Sequence, residues 1–161
     1  MLHSPLQKIR SIADYQFARG TGKLLFPDNV SISFSRRTGR IRHVYLQGEL
    51  LVTLRPTDGF FSLAIEGARR IAQLKPHRSW VEVQDDAVEF VAKGRSVFAK
   101  HVVDCDMQIR PQEEIVVVNS QHEVLAVGRA VLTGGEMKAF DVGVAVRVRR
   151  GIAETKKGKS N

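Results

Sequence analysis

The chain has 161 residues, 43% of them hydrophobic, and a formal net charge of +8. That is apolar material for one ordinary domain or two small ones, and it excludes a generally disordered chain. One cysteine, Cys105, excludes an internal disulfide and a cysteine-rich zinc site, and the positive excess points to a polyanionic partner.

The charge is unevenly spread. Residues 1–78 carry 13 Lys/Arg against 5 Asp/Glu, whereas residues 79–161 carry 12 of each. Contact with a polyanion is therefore expected of both halves, through a local patch in the second. No apolar run approaches the roughly 20 residues that span a bilayer. The start, MLHSPLQKIR, has no apolar signal core, so the sequence reads as that of a soluble, cytoplasmic protein.

In chain order, Ser4-Pro5-Leu6-Gln7 gives a cap, a first-turn proline and a capping-box glutamine. Leu6, Ile9, Ala13 and Phe17 then fall at helical spacing, and Gly20 and Gly22 are expected to end the helix. Leu24–Pro27 reads as an apolar turn. A β meander follows: Val30–Phe34, a basic turn Arg36–Arg40, then Ile41–Leu46 and Leu50–Leu54 joined at Gln47-Gly48-Glu49, and Phe60–Leu63 after a second turn. Ala64, Ile65, Ala68, Ile71 and Ala72 mark an amphipathic helix ending near Leu74. Lys75–Arg78 reads as a linker.

Trp80–Val83 alternates and opens a second module. Asp85 or Asp86 is expected to cap a helix through Lys93, stopped by Gly94 in the left-handed conformation. Arg95–Val103 returns as a strand, and Asp104–Asp106 reads as a polar loop around a small buried thiol. Ile115–Val118 and Val124–Val131 are Val-rich strands joined by Asn119–Glu123, with Glu113 and Glu114 expected to be solvated. Thr133-Gly-Gly-Glu136 has capping-box spacing before a short helix through Phe140. In the last strand Val144, Val146 and Val148 share one face, and Ala145, Arg147 and Arg149 the other. The tail 153–161 is basic and reads as disordered.

No catalytic constellation emerges. The histidines at 3, 43, 77, 101 and 122 have no metal-ligand spacing, no cofactor fingerprint follows a strand, and no metal or cofactor is expected. Arg36, Arg37, Arg40 and Arg42 fit a solvated hairpin and a nucleic-acid contact equally.

Two stretches carry resemblances. RPQEEIVVVN, EVLAVGRAVL, the GGEM helix and GVAVRVRRGI resemble, in order and spacing, the PUA domain, a small RNA-binding barrel. IADYQFARGTGKLLFP, TGRIRHVYLQGELLVTLRPTDGFFSL and IEGARRI resemble the region preceding PUA in archaeal tRNA-guanine (archaeosine) transglycosylases. Those enzymes insert 7-cyano-7-deazaguanine into tRNA. Together the resemblances span residues 4–152, and the family's catalytic (β/α)₈ barrel, with its aspartates and zinc site, has no counterpart within them.

The implied fold class is α+β: a helix-plus-antiparallel-sheet module at 1–78, then a PUA-type mixed β-barrel of about six strands at 79–152. The implied function is RNA binding, most directly tRNA binding, as an accessory or separately encoded C-terminal half of a transglycosylase system. A separate catalytic subunit would then be the protein partner. The alternative is a free-standing PUA protein acting as an RNA chaperone or ribosome-associated factor. The PUA resemblance places Lys93, Gly94, Arg95 and Ser96 in the RNA-facing loop. Lys100, Arg129, Arg147, Arg149 and Arg150 complete the candidate RNA-binding set.

Overall fold

The computed structural model describes residues 4–74 and 78–154. The chain divides into two compact units, Met1–His77 and Arg78–Asn161. Most of the expected linker (75–77) and of the expected tail (155–161) lies outside the described residues.

The first unit opens with α1, Pro5–Gln16. Its capping box forms as expected: Gln7 N donates to Ser4 Oγ (3.1 Å), and Ser4 N to Gln7 Oε1 (3.3 Å). The helix stops at Gln16, short of the glycines. Gly20 instead takes φ 95° and starts a second short helix, α2 (Thr21–Leu25), where an apolar turn was expected. Gly22 permits this, because a Cβ there would run into the Arg10 carbonyl of α1. Asp14 Oδ1 accepts from Gly22 N (2.6 Å) and ties the two helices. Two arginines serve carbonyls at the end of α2: Arg10 donates to Phe26 O (2.9 and 2.7 Å), Arg70 to Leu24 O (3.1 and 2.7 Å).

An antiparallel meander follows, β1 (Ser31–Phe34), β2 (Ile41–Leu46), β3 (Glu49–Leu54) and β4 (Phe61–Leu63), ordered β1-β2-β3-β4. Gln47 and Gly48 both have positive φ (51° and 83°), as the β2–β3 hairpin turn requires. β4 is an edge strand, and the Gln16 amide closes part of that edge. It donates to Phe61 O (2.9 Å) and accepts from Phe61 N (2.8 Å). α3 (Ile65–Ile71) lies on the sheet, with Gly67 against the Leu51 carbonyl. Ile9, Ala13, Leu25, Phe26, Val44, Val52, Phe61 and Ala68 are fully buried.

The second unit is a six-stranded mixed sheet ordered β6-β10-β9-β8-β5-β7. Its strands are β5 (Trp80–Val83), β6 (Val97–Phe98), β7 (Val102–Cys105), β8 (Glu114–Val118), β9 (Val124–Ala130) and β10 (Val144–Gly151). β5 and β8 run parallel; the other pairs are antiparallel. The two outermost strands, β6 and β7, are consecutive in sequence. The expected single strand Arg95–Val103 is broken by a 3-10 turn, Ala99–His101, and this bend carries the chain from one sheet edge to the other. The sheet curls into a barrel for that reason. The barrel interior holds Val81, Val83, Ile115, Val117, Leu125, Ala126, Ala145 and Val146.

The helix after β5 also departs from expectation. Gln84, not an aspartate, stands at the start of a 3-10 turn, Asp85–Ala87, and α4 proper is only Val88–Ala92. Its end is as expected and can be read bond by bond. Gly94 N donates to Val91 O (2.9 Å) and Arg95 N to Phe90 O (3.0 Å), the Schellman pattern, with Gly94 at φ 101°. The last helix, α5 (Gly134–Ala139), has its capping box: Glu136 N to Thr133 Oγ1 (3.1 Å), Thr133 N to Glu136 Oε1 (2.9 Å).

Candidate nucleic-acid interface

β10 carries the arginines, and two bulges decide where they point. Against β6 the register skips Ala145, and against β9 it skips Arg149. A bulge re-aims the side chains on either side of it. Simple alternation therefore fails here: Ala145, expected outside, is buried in the barrel, while Val144 and Val148 are only half-buried.

Arg147 is exposed and lies directly across from Arg129 of β9. Arg129 lies in turn across from Glu114 of β8. Like charges facing each other across a strand pair are destabilising, so this row gives up stability for a cationic surface. Arg129 Nε donates to Gln112 O (3.2 Å), which holds its stem along the sheet.

Glu114 corrects the expectation of a solvated carboxylate. Its side chain is 0% exposed, and Arg149 clamps it in a fork, NH1 to Oε2 at 3.0 Å and NH2 to Oε1 at 2.8 Å. A carboxylate sealed under a sheet needs such a partner. Arg149 thus has a structural task besides any contact with a ligand.

The loop after α4 comes to the same end of β10. Ser96 Oγ accepts from Val148 N (3.4 Å), and a Cβ on Gly151 would collide with the backbone of Ala92 and Gly94. Lys93, Gly94, Arg95 and Ser96 therefore sit beside Arg147, Arg149 and Arg150. Lys93 is engaged with Glu89 at 3.1 Å, an exposed pair. Space in front of Gly94 is taken by the Glu154 carboxylate, 2.7 Å from where a Cβ would stand; that carboxylate accepts from Gly151 N (2.7 Å). Lys100 is not part of this group. It follows Phe98, which pairs with Val144, at the other end of β10. Three strand residues separate Val144 from Arg147, the nearest arginine of the group, roughly 10 Å along the strand.

Cys105 ends β7, where a polar loop was expected, and its thiol is buried as expected. Burial, then the neighbouring Asp104, pushes the thiol pKa up, and Sγ donates to Gly134 O (3.4 Å). This is an inert packing thiol. The Asp104 carboxyl is held below its ordinary value, chiefly by the hydrogen bond from Lys138 (3.0 Å). Among the described residues no group of three His, Cys, Asp or Glu side chains is placed to hold a metal ion. No helix among them is long and apolar enough to cross a membrane.

Sequence reasoning missed Glu114 and Glu154. Alternation cannot reveal either, because one is positioned by a partner two strands away and the other lies beyond the last strand.

Comparison with known proteins agrees with both units. Residues 7–78 match the patch-forming domain C2 of tRNA-guanine transglycosylase, and residues 79–152 match the PUA domain. The tRNA-guanine(15) transglycosylase of Methanothermobacter thermautotrophicus is 45% identical over 147 residues, 91% of this chain and 22% of the enzyme. That of Thermococcus kodakarensis is 44% identical over 145 residues, 89% of this chain and 25% of the enzyme. The chain thus spans about a quarter or less of these relatives. In fold it is similar to a hypothetical protein of Pyrococcus horikoshii (TM-score 0.74, 18% identity, 97% of this chain and 95% of that one). It is also similar to a PUA domain protein of Thermoplasma acidophilum (TM-score 0.66, 20% identity, 94% and 93%). The chain thus carries the C2 domain of tRNA-guanine transglycosylase followed directly by a PUA domain, and is homologous to the C-terminal region of the archaeal tRNA-guanine(15) transglycosylases.

Proposed function

We propose that the protein binds tRNA in the cytoplasm through the β9–β10 face and the loop after α4. In this reading it serves as a non-catalytic RNA-binding accessory in a tRNA-guanine transglycosylase system. The observation that carries it is 45% identity across nine-tenths of the chain to a region of an enzyme that acts on tRNA. The facing pair Arg129 and Arg147 supports it, since apposed cations gain stability when a phosphate lies between them. Arg95 and Arg150 extend the patch. Guanidinium groups stay charged and present a planar fork to phosphate oxygens. A barrel face of this kind suits the backbone and minor groove of an RNA stem, read by shape. The protein partner would be a transglycosylase catalytic barrel.

The test is binding of host tRNA by the full chain. Arg147→Gln is expected to weaken binding and to flatten the slope of log affinity against log salt by roughly 0.7–0.9. Arg69→Gln is the control: Arg69 makes an exposed pair with Glu66 on α3 in the other unit. An unchanged affinity and salt slope in folded Arg147→Gln would leave that arginine a solvated charge. A pull-down from the native host addresses the partner. Recovery of a catalytic barrel protein supports the accessory role, and recovery of ribosomal components alone favours the chaperone alternative.

A further inference from the structure

Within the first unit, α1, the β1–β2 turn and the β3–β4 turn border a partly open cavity of about 730 Å³. Lys8, Arg37, Arg40 and Arg42 line it. None of these four is in an ion pair with a described residue. The acid on the wall, Asp58, is already engaged: Arg55 holds it at 3.1 and 2.9 Å, and Phe60 N donates to it at 2.9 Å. Four basic residues thus line one concavity, and none of the four is ion-paired among the described residues. The same lining includes three apolar side chains, Ile12, Ile41 and Leu54, which we take as its floor.

An apolar floor under a cationic rim selects a ligand with a flat apolar body and an anionic edge. The volume suits a molecule of a few hundred daltons and is far too small for a duplex. We propose that this cavity is a nucleotide site, with the base lying on Ile12, Ile41 and Leu54 and the phosphate held by Lys8, Arg37, Arg40 and Arg42. The shared chemistry is that of a nucleoside phosphate, which reaches the site as an unpaired residue of an RNA strand or as a free mononucleotide. The inference stands on the cavity alone and does not depend on the β9–β10 face.

Amide chemical shifts of the full chain at low salt test it, with four probes: uridine, inorganic phosphate, uridine monophosphate and a single-stranded trinucleotide. Saturable shifts at Thr38, Gly39, Ile41 and Gly59 are expected with the monophosphate and the trinucleotide, at concentrations at least tenfold below those needed for phosphate. Tighter binding of the trinucleotide assigns the site to an RNA strand, and tighter binding of the monophosphate to a free nucleotide. Arg37→Gln with Arg40→Gln, both on an exposed turn, is expected to weaken either ligand at least tenfold. The salt slope for the trinucleotide should flatten by about 0.7 per lost contact. Arg147→Gln should leave these shifts unchanged, which separates this site from the tRNA face. No saturable shift at those amides would overturn the proposal. So would equal affinity for phosphate and nucleotide, because the apolar floor would then have no role.

Discussion

Arg149 and Arg147 are two residues apart on one strand, yet they should answer mutation differently. Arg149 neutralises a carboxylate that has no access to water, and its removal strands that charge. Arg149→Gln is expected to cost about 1–3 kcal/mol, read as a lowered urea midpoint, whereas Arg147→Gln should raise the midpoint slightly by relieving the facing Arg129. Glu114→Gln with Arg149→Gln should recover part of the loss, because the double variant buries no unpaired charge. His43 makes a second prediction. Burial, then the Arg42 charge, lowers its pKa below the ordinary 6.5, and Nδ1 lies 3.3 Å from Ser33 Oγ. Below pH 6.5 the unfolded chain takes up a proton that the folded chain resists. The stability contribution is therefore complete above pH 6.5 and is lost as pH falls through the lower folded pKa. Melting temperature should drop on acidification through this window, and the drop should be smaller in His43→Gln. An identical drop in both would assign the effect to other groups.

At the scale of elements, the junction of α4 with β10 holds the candidate RNA face together, and two glycines hold it in different ways. Gly94 has φ 101°, so a side chain there is strained, but the atom it would meet is the flexible end of Glu154. Gly94→Ala is expected to cost about 1–2 kcal/mol, the left-handed penalty. At Gly151 an added Cβ would strike the backbone of Ala92 and Gly94, which cannot swing aside. Gly151→Ala should cost more, about 3 kcal/mol, and should weaken tRNA binding as well by displacing the loop. Thermal melts of the two variants check the order; Gly94→Ala being the worse would mean that the loop yields more easily than its contacts suggest. Elements with local causes were legible in advance. Both capping boxes, the Gly94 terminator and the strand Trp80–Val83 all depend on residues within a few positions of each other. Elements with remote causes were not. The bend at Ala99–His101 exists because the barrel must close there, and the bulges at Ala145 and Arg149 because β10 serves two neighbours of unequal register.

For the whole molecule, the charge balance now has a physical account. The second unit is close to neutral, with 13 Lys/Arg against 12 Asp/Glu over residues 78–161, and many of its carboxylates are engaged internally. Glu114 is held by Arg149, Glu89 by Lys93 and Asp104 by Lys138. Asp106 accepts from Ser79 N and Gln108 N, Glu113 from Arg110 N, and Glu136 caps α5. The ion pairs consume one cation each, whereas Asp106, Glu113 and Glu136 are satisfied by backbone donors. The relation to the enzymes carries a further prediction, since the matched region is about a quarter or less of their length. Purified protein alone is expected to incorporate no labelled guanine into tRNA. Incorporation by protein free of contaminating enzyme would sink the accessory role.

The α+β class, the family and most of the strands and helices were determined by the sequence itself, the exceptions being α2 and the break at Ala99–His101. The class and most of the elements follow from short-range periodicity and capping chemistry, which act between neighbours in the chain, and the family from the resemblance of whole stretches. Tertiary structure alone decided which arginines are available. It paired Arg149 with Glu114 across two strand spacings, set Arg147 against Arg129 and placed Lys100 at the far end of β10. It also gathered Lys8 from α1 and Arg37, Arg40 and Arg42 from a hairpin around one cavity. The reason is electrostatic: a charge's role depends on its distance to other charges in space, and folding sets those distances.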